Sequence, residues 1–352
     1  MERVFRAPGR VNLIGEHTDY NGGWVMPAAI PLAVTAAISP RPGRQLRLYS
    51  DRFAEPASFD LDAAAANLPP WARSLRGVAV LLDRRKPLGG ADLRLRSEIP
   101  MGAGLSSSAA VEVAVGLALA TAVGLDISRT ALAFLCQQAS HEFAGSRCGL
   151  MDQFIACHGR AGQILRLDTR SLEQFWQPWP AALRCVVCDT GVRHDNAAGG
   201  YNRRRSECEA AAAFFGCSLG DVSARQLEAA HPALDSILYR RARHVISENA
   251  RVGAAATALA AGGFAALGQI LNASHASLRD DFEVSCPELD TLAAWLQRQP
   301  GFWGARMMGA GFGGCVLALA RPGAVDAIRG SAPARAIWEF EPAAGATEVV
   351  HA

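Results

Sequence analysis

Two stretches near the N-terminus, 3–14 and 24–39, are rich in Val, Ile and Leu with polar residues interspersed, a pattern that predicts strands. Asn21, Gly22 and Gly23 lie between them and predict a hairpin turn. Shorter alternating runs at 45–49 and 92–97 predict exposed strands, and the apolar run 185–190 a further strand. Helical spacing marks 70–83 and 128–144; an Ala/Val/Leu helix at 106–123 opens in serines, and 201–215 is an Arg/Glu/Ala helix. From 222 to 299 the pattern is mostly helical, broken at His231–Pro232 and Cys286–Pro287. The tail reads strand, Gly-rich turn, strand over 306–320, a short helix near 323–329 and a last strand near 335–341. Strands and helices mix without regular β-α-β alternation, so the expected class is α+β. A chain of 352 residues suggests about two domains. The Pro/Trp-rich stretch 176–180 is the best place for a boundary, dividing 1–178 from 179–352.

Composition narrows the function by exclusion. A net charge of +2 gives no general case for nucleic-acid or membrane-surface binding. No apolar run reaches spanning length, and the N-terminal residues do not form a signal peptide. Nine cysteines, an odd and widely spaced set, make no disulfide framework. Cys185 and Cys188 form a CxxC, but on a strand their side chains point to opposite faces, which argues against a redox or zinc role. Free thiols without an export signal point to the cytoplasm. Lys86 is the only lysine and sits in a turn-like, solvated segment, so any chemistry that needs a lysine must use it or is excluded.

Three segments carry candidate chemistry. Residues 10–23 crowd Arg10, Glu16, His17, Asp19 and Asn21 around the apolar pair Leu13–Ile14, with Gly15, Gly22 and Gly23 freeing the backbone. Such a mixture suits a ligand with many hydroxyls, each of which donates and accepts; a polar hairpin after a buried strand is the structural alternative. Residues 99–110 place Gly102 and Gly104 before Ser106, Ser107 and Ser108 at a helix start. Unpaired amides and the helix dipole attract anions there, while a Gly/Ser turn that only caps a buried helix is the alternative. The GxxxxGK[ST] pattern is absent, so triphosphate binding would rest on amides, hydroxyls and a metal ion. The third cluster, 309–314, joins two apolar strands and is placed to bring its backbone against the first loop; no helix with a ribose-binding acid follows it, which rules out a dinucleotide fingerprint.

Together these segments resemble the GHMP family of small-molecule kinases, and 6–23 resembles the sugar signature of its galactokinase branch. Further agreement comes from Cys148 to Gln153, Val192 to Asp195, Tyr201–Asn202, Arg240 to Val245, His275 to Asp281 and Val284 to Asp290. The resemblance covers nearly the whole chain. It implies a two-domain GHMP-kinase-like architecture with the site in the interdomain cleft, and ATP-dependent phosphorylation of galactose at its C1 hydroxyl. It places Glu16, His17, Thr18, Asp19, Gly149 and Tyr201 on the sugar. It places Gly102, Ala103, Gly104, Leu105, Ser106, Ser107 and Ser108 on the ATP phosphates, Trp71 beside the adenine, and Ser108 on Mg2+. Arg10 and Asp152 fall at the reacting centre: a carboxylate at Asp152 takes the hydroxyl proton, and Arg10 holds it ionised and offsets phosphoryl charge.

The chain departs from the family pattern where a glutamate is expected as a second metal ligand; Ser140 stands there. Glu142 lies about 200° around the helix and does not take its place. The expectation is a weakened metal site with Ser108 as the sole direct protein ligand and Ser140 at the position of the missing carboxylate. Met308 replaces a usual threonine, and the chain is shorter than typical members. A kinase for a related sugar such as N-acetylgalactosamine, or a non-catalytic galactose- and ATP-binding regulator, are the alternatives. The expected partners are galactose and ATP only, with no nucleic acid or membrane, and the expected state is a monomer.

Overall fold

The computed structural model describes residues 2–63, 67–193 and 197–349. The chain opens with β1 (Arg3–Asn12), β2 (Trp24–Val25), β3 (Pro27–Arg41), β4 (Gln45–Ser50) and β5 (Phe53–Asp60), then α1 (Pro70–Asp83), β6 (Gly90–Ser97), α2 (Ser107–Ala122), α3 (Arg129–Ala144) and α4 (Met151–His158). Strands β7 (Gln163–Asp168), β8 (Gln174–Pro178) and β9 (Arg184–Asp189) follow. Then come helices α5 (Ala197–Phe215), α6 (Ala224–Ala230), α7 (Ser236–Ala260), α8 (Phe264–Asp280) and α9 (Pro287–Leu296). The last strands are β10 (Phe302–Met307), β11 (Cys315–Ala320), β12 (Ala336–Phe340) and β13 (Thr347–Val349).

Local chemistry explains several boundaries. Pro70 starts α1 at a position where its missing N–H costs nothing. Ser128 caps α3 by accepting from the Ala131 amide at 3.1 Å, and Asp235 caps α7 by accepting from Ile237 and Leu238. Ser223 and Gln226 form a reciprocal capping box on α6.

The strands form a six-stranded sheet in the order β13-β1-β3-β6-β4-β5, a four-stranded sheet β10-β11-β9-β12 and a three-stranded sheet β2-β7-β8. Among the described residues only the β4–β6 pair is parallel, which makes this the α+β arrangement expected. β6 is paired on both sides, so the run at 92–97 is an interior strand exposed on one face. The Asn21–Gly23 turn exists, with both the Asn21 and Gly23 amides bonded to the Thr18 carbonyl, yet it does not join paired strands directly. β1 does pair antiparallel with β3, but the connection is long and sends β2 away to pair with β7. That excursion holds the polar segment 13–23 against the C-terminal helices. The short helix near 323–329 is a 3₁₀ turn, Asp326–Ile328.

Helices α1 to α4 cover the large sheet with one apolar cluster, and α5 to α9 build a second with the four-stranded sheet. A third cluster lies between them and takes residues from both halves, among them Leu13, Leu105, Met308 and Leu317. Strand β9 shows the alternation directly: Val186 and Cys188 enter the second cluster, Cys185 and Val187 the third. The two cysteines therefore face opposite ways, and burial pushes both thiols up to about 12. β13 returns to the first sheet and is fixed by Glu348, which accepts from Arg3 at 2.7 Å.

Candidate active site

The loop before α2 and the start of α4 meet over β1. Arg10, buried near the end of β1, donates through Nε to Asp152 Oδ1 at 2.9 Å and through Nη1 to the Gly104 carbonyl. Ser106 donates to the other Asp152 oxygen at 2.5 Å. Ser106 occupies the N-cap position of α2, as its place before the helix predicts, but it does not cap with its side chain, and its backbone is left-handed at φ 62°. A non-glycine residue in that region is strained, and here the strain turns the hydroxyl toward Asp152. The first amides of α2 stay without intrahelical partners, and Ser106, Ser107 and Ser108 all line the cleft. Ala103 and Leu105 send their side chains into the third apolar cluster and leave only backbone toward the loop.

The two glycine-rich loops touch. Gly104 and Gly309 both have positive φ, and a Cβ on either would lie 3.2 Å from a carbonyl oxygen of the other loop. The sequence expectation that 309–314 packs against the first loop describes this contact. Beside it, Arg193 donates to the Met101 carbonyl at 3.0 Å and pairs with Asp189 at 2.7 Å, adding a cation at the loop that sequence reasoning had given no role. His194 and Asp195 lie outside the described residues.

The segment 13–23 forms the other wall. Glu16 is buried; its Oε1 accepts from the Gly309 amide at 2.8 Å and Arg306 at 3.2 Å, and its Oε2 from Asn12 at 3.0 Å. His17, at φ 63°, packs its ring 4.6 Å from Phe282 and 5.5 Å from Tyr201. Its Nδ1 meets the Tyr20 hydroxyl at 2.9 Å, while Nε2 is buried without a partner. Burial, then the neighbouring His244, lowers its pKa to about 3, so the ring is neutral at ordinary pH. Asp19 accepts from the Met151 amide at 3.3 Å. Burial and then Asp152 push Asp19 up to about 7. A Cβ on Gly149 would sit 1.8 Å from Asp19 Oδ2, so only glycine fits there. Burial raises the Tyr201 phenol well above its usual range. Thr18 is placed differently from the other sugar-segment residues: its hydroxyl lies between the Gly15 and Trp24 carbonyls, 2.8 and 2.7 Å away, and holds the loop from behind rather than lining the cleft.

Arg10, Glu16, His17, Asp19, Gly149, Asp152, Tyr201 and the 102–109 loop line one cleft of about 330 Å³. A second cavity of about 370 Å³ adjoins it through Gly102, Ser107, Ser108, Ser140 and Ser146. Trp71 lines the second cavity, its ring stacked on Phe53 at 5.0 Å and 5°. The two compartments thus share the Gly/Ser loop, and Asp152 lines the first of them beside that loop.

Residues 1–40 match the model described as the galactokinase galactose-binding signature, 73–160 that of the GHMP kinases N terminal domain, and 255–336 that of the GHMP kinases C terminal. The galactokinase of Chloroflexus aurantiacus is 46% identical over 93% of this chain and 86% of its own. The chain belongs to the galactokinase family. The galactokinase of Actinobacillus succinogenes is 43% identical over 92% of this chain and 86% of its own. The crystal structure of Lactococcus lactis galactokinase complexed with galactose superposes with a TM-score of 0.93, at 35% identity, over 99% of this chain and 95% of that one. An L. major mevalonate kinase, 20% identical with a TM-score of 0.65 over 97% of this chain and 96% of that one, shares the fold.

Within this galactokinase-family site, a second residue had no role in the sequence pattern: Glu112. Ser140 does not stand alone: it donates to Glu112 Oε1 at 2.6 Å, and Gln153 donates to Glu112 Oε2 at 3.2 Å. Glu112 is buried on the same face of α2 as Ser108, one turn on. Burial pushes its carboxyl up to about 7, against the pull of hydrogen bonds from Ser140, Gln153 and Ser74. The signal was present in the sequence as one carboxylate inside an otherwise Ala/Val/Leu helix, four residues after a candidate metal ligand. Lys86 is exposed, 3.0 Å from the Gly124 carbonyl, and has no part in the site.

Proposed function

We propose that this chain transfers the γ-phosphoryl group of ATP to the C1 hydroxyl of galactose, with the sugar in the Arg10–Tyr201 cleft and the nucleotide in the adjoining cavity beside Trp71. The observation that carries the assignment is the Arg10–Asp152–Ser106 cluster, which lines the sugar cleft next to Ser107 and Ser108, the loop residues that this cleft shares with the second cavity. Asp152 takes the C1 hydroxyl proton, the freed oxygen bonds to the γ-phosphorus, and the bond to the departing ADP oxygen breaks. The hydrogen bonds from Arg10 and Ser106 orient the Asp152 carboxylate, and its remaining lone pairs stay available for the sugar hydroxyl. Arg10 also reaches the phosphate loop through Gly104, so one guanidinium orients the base and offsets charge on the transferring group. Asp19, the unpartnered His17 Nε2 and Tyr201 bind sugar hydroxyls; Glu16 and Thr18 fix the segment that presents them.

The oxygen donors at the junction, Ser108 and Ser140, with the partnerless Gln153 Oε1 on the sugar-cleft side, suit a hard cation such as Mg2+. Among the described residues no cluster of three His, Cys, Asp or Glu could hold a metal ion, which fits magnesium carried chiefly by the nucleotide phosphates. Magnesium would supply charge neutralisation on those phosphates, with Ser108 and Ser140 as the side chains that hold it. All nine cysteines are free, which suits a reducing cytoplasm, and no helix of the described residues is long and apolar enough to cross a membrane. We read the working unit as a monomer, since each compartment is built from one chain; sedimentation at micromolar concentration tests this.

The deciding experiment is coupled turnover with ATP, magnesium and a panel of hexoses. Phosphorylation of galactose in preference to the others supports the reading. Sugar binding without phosphorylation of any hexose overturns it in favour of a regulator, and preference for N-acetylgalactosamine overturns the sugar assignment.

A further inference from the structure

Glu112 is a buried carboxylate without a cation. The other deeply buried glutamates have one: Glu16 faces Arg306 at 3.2 Å and Glu248 pairs with Arg251 at 2.7 Å. Glu112 has hydrogen bonds only from neutral groups, Ser140, Gln153 and Ser74, and the charged side chain nearest to it in effect is Asp152, of its own sign. No ion pair among the described residues includes it. Burying an anion in this way is costly, and an apolar residue of similar size in this Ala/Val/Leu helix would avoid the cost.

The surroundings indicate what offsets it. Ser140 lies where both compartments meet, together with Ser108. Because its hydroxyl hydrogen points inward to Glu112, the Ser140 lone pairs are left for the cleft. Gln153, 2% exposed, donates to the same carboxylate and keeps its Oε1 buried without a partner at the edge of the cleft. A buried carboxylate, the Ser108 and Ser140 hydroxyls and an orphaned amide oxygen therefore gather beside the phosphate loop.

We propose that Glu112 is a positioning residue of the metal seat: it supplies the seat's negative charge through the Ser140 hydroxyl, so that Ser108 and Ser140 together hold the magnesium that arrives with the nucleotide. The proposal rests on the kinase reading above. It replaces the expectation of Ser108 as sole protein ligand, and it accounts for a serine at position 140: the carboxylate absent from α3 is present one hydrogen bond behind it, on α2.

The test measures Mn2+ binding by paramagnetic resonance, with Mg2+ competition, on the full chain carrying a non-hydrolysable ATP analogue. Glu112→Gln and Ser140→Ala are each expected to weaken metal binding tenfold or more, the range seen when outer partners of metal ligands are lost. Affinity for the metal-free analogue in EDTA should stay within twofold. Adding Ser140→Glu to Glu112→Gln should restore metal affinity by returning a carboxylate to the seat. Metal affinity unchanged within twofold in both single variants overturns the proposal. So does an equal loss of metal-free nucleotide binding, which marks Glu112 as structural. If Glu112→Gln does not fold, Ser140→Ala decides alone. Wild-type turnover on galactose in the same preparation tests the kinase reading separately, so the failure of one is distinct from that of the other.

Discussion

Arg10 and Asp152 lie 142 residues apart in the chain and meet at 2.9 Å, the arginine almost fully buried and the carboxylate partly open to the cleft. A buried guanidinium facing a more exposed carboxylate orients the acid while leaving it reachable. Asp152→Asn keeps the shape and most of the hydrogen bonding but removes the proton acceptor. We expect kcat to fall by roughly 10²–10⁴ with galactose affinity changed little, as read by steady-state kinetics and calorimetric titration. Near-normal turnover of this variant would sink the assigned role.

Ser106 separates backbone strain from chemistry. Its left-handed φ of 62° is uncomfortable for serine and easy for glycine, whereas its hydroxyl is bonded to Asp152. Ser106→Gly should therefore leave the thermal midpoint unchanged or slightly raised while kcat falls about tenfold, the cost of one charge-assisted hydrogen bond. Loss of stability together with activity would show that the hydroxyl serves the fold instead.

The local patterns of this site were legible and its long-range pairings were not. Residues 70–83 announce α1 because apolar spacing and a leading proline agree, and the strand at β9 announces its two faces by simple alternation. Ser106 is recognisable as a helix-start residue, but that its hydroxyl goes to Asp152 depends on how α4 crosses β1, which no local pattern encodes. The Asn21–Gly23 turn is real, yet the diversion of β2 to β7 depends on pairing energies distant in the chain. Glu112 was hidden because a helix judged by its average hydrophobicity conceals one buried charge. The family resemblance assigns Thr18 to the sugar with the rest of its segment, while its hydroxyl turns back to carbonyls of its own loop.

Gly149 is fixed by steric contact with the sugar segment. Any Cβ there meets the Asp19 carboxylate at 1.8 Å, far inside van der Waals contact. Gly149→Ala must displace Asp19 or the start of α4. We expect KM for galactose to rise at least tenfold while KM for ATP stays within about twofold, because the nucleotide cavity does not include Gly149. Equal effects on both substrates would mean that α4, and Asp152 with it, has moved.

Asp19 carries a pH dependence whose sign can be worked out. Its carboxyl is raised from 3.8 in the free side chain to about 7, by burial first and by Asp152 second. Between those values the folded chain holds a proton that the unfolded chain has released. Its contribution to stability is therefore fully present below about pH 4 and is lost as pH rises through 7. Asp19→Asn has no proton to lose there. The stability of the variant relative to the unliganded wild type should climb from pH 4.5 to pH 7 and then level off. The slope is bounded by about 1.4 kcal/mol per pH unit for a full proton and is reduced by solvent at the cleft wall. The buried histidines, with His17 near 3 and His244 and His275 near 4, oppose this trend in the total but are common to both proteins and cancel in the difference. Urea unfolding at pH 4.5, 6 and 8 measures it. Stabilities of the two proteins that run parallel across this range would show that Asp19 is already ionised in the empty cleft.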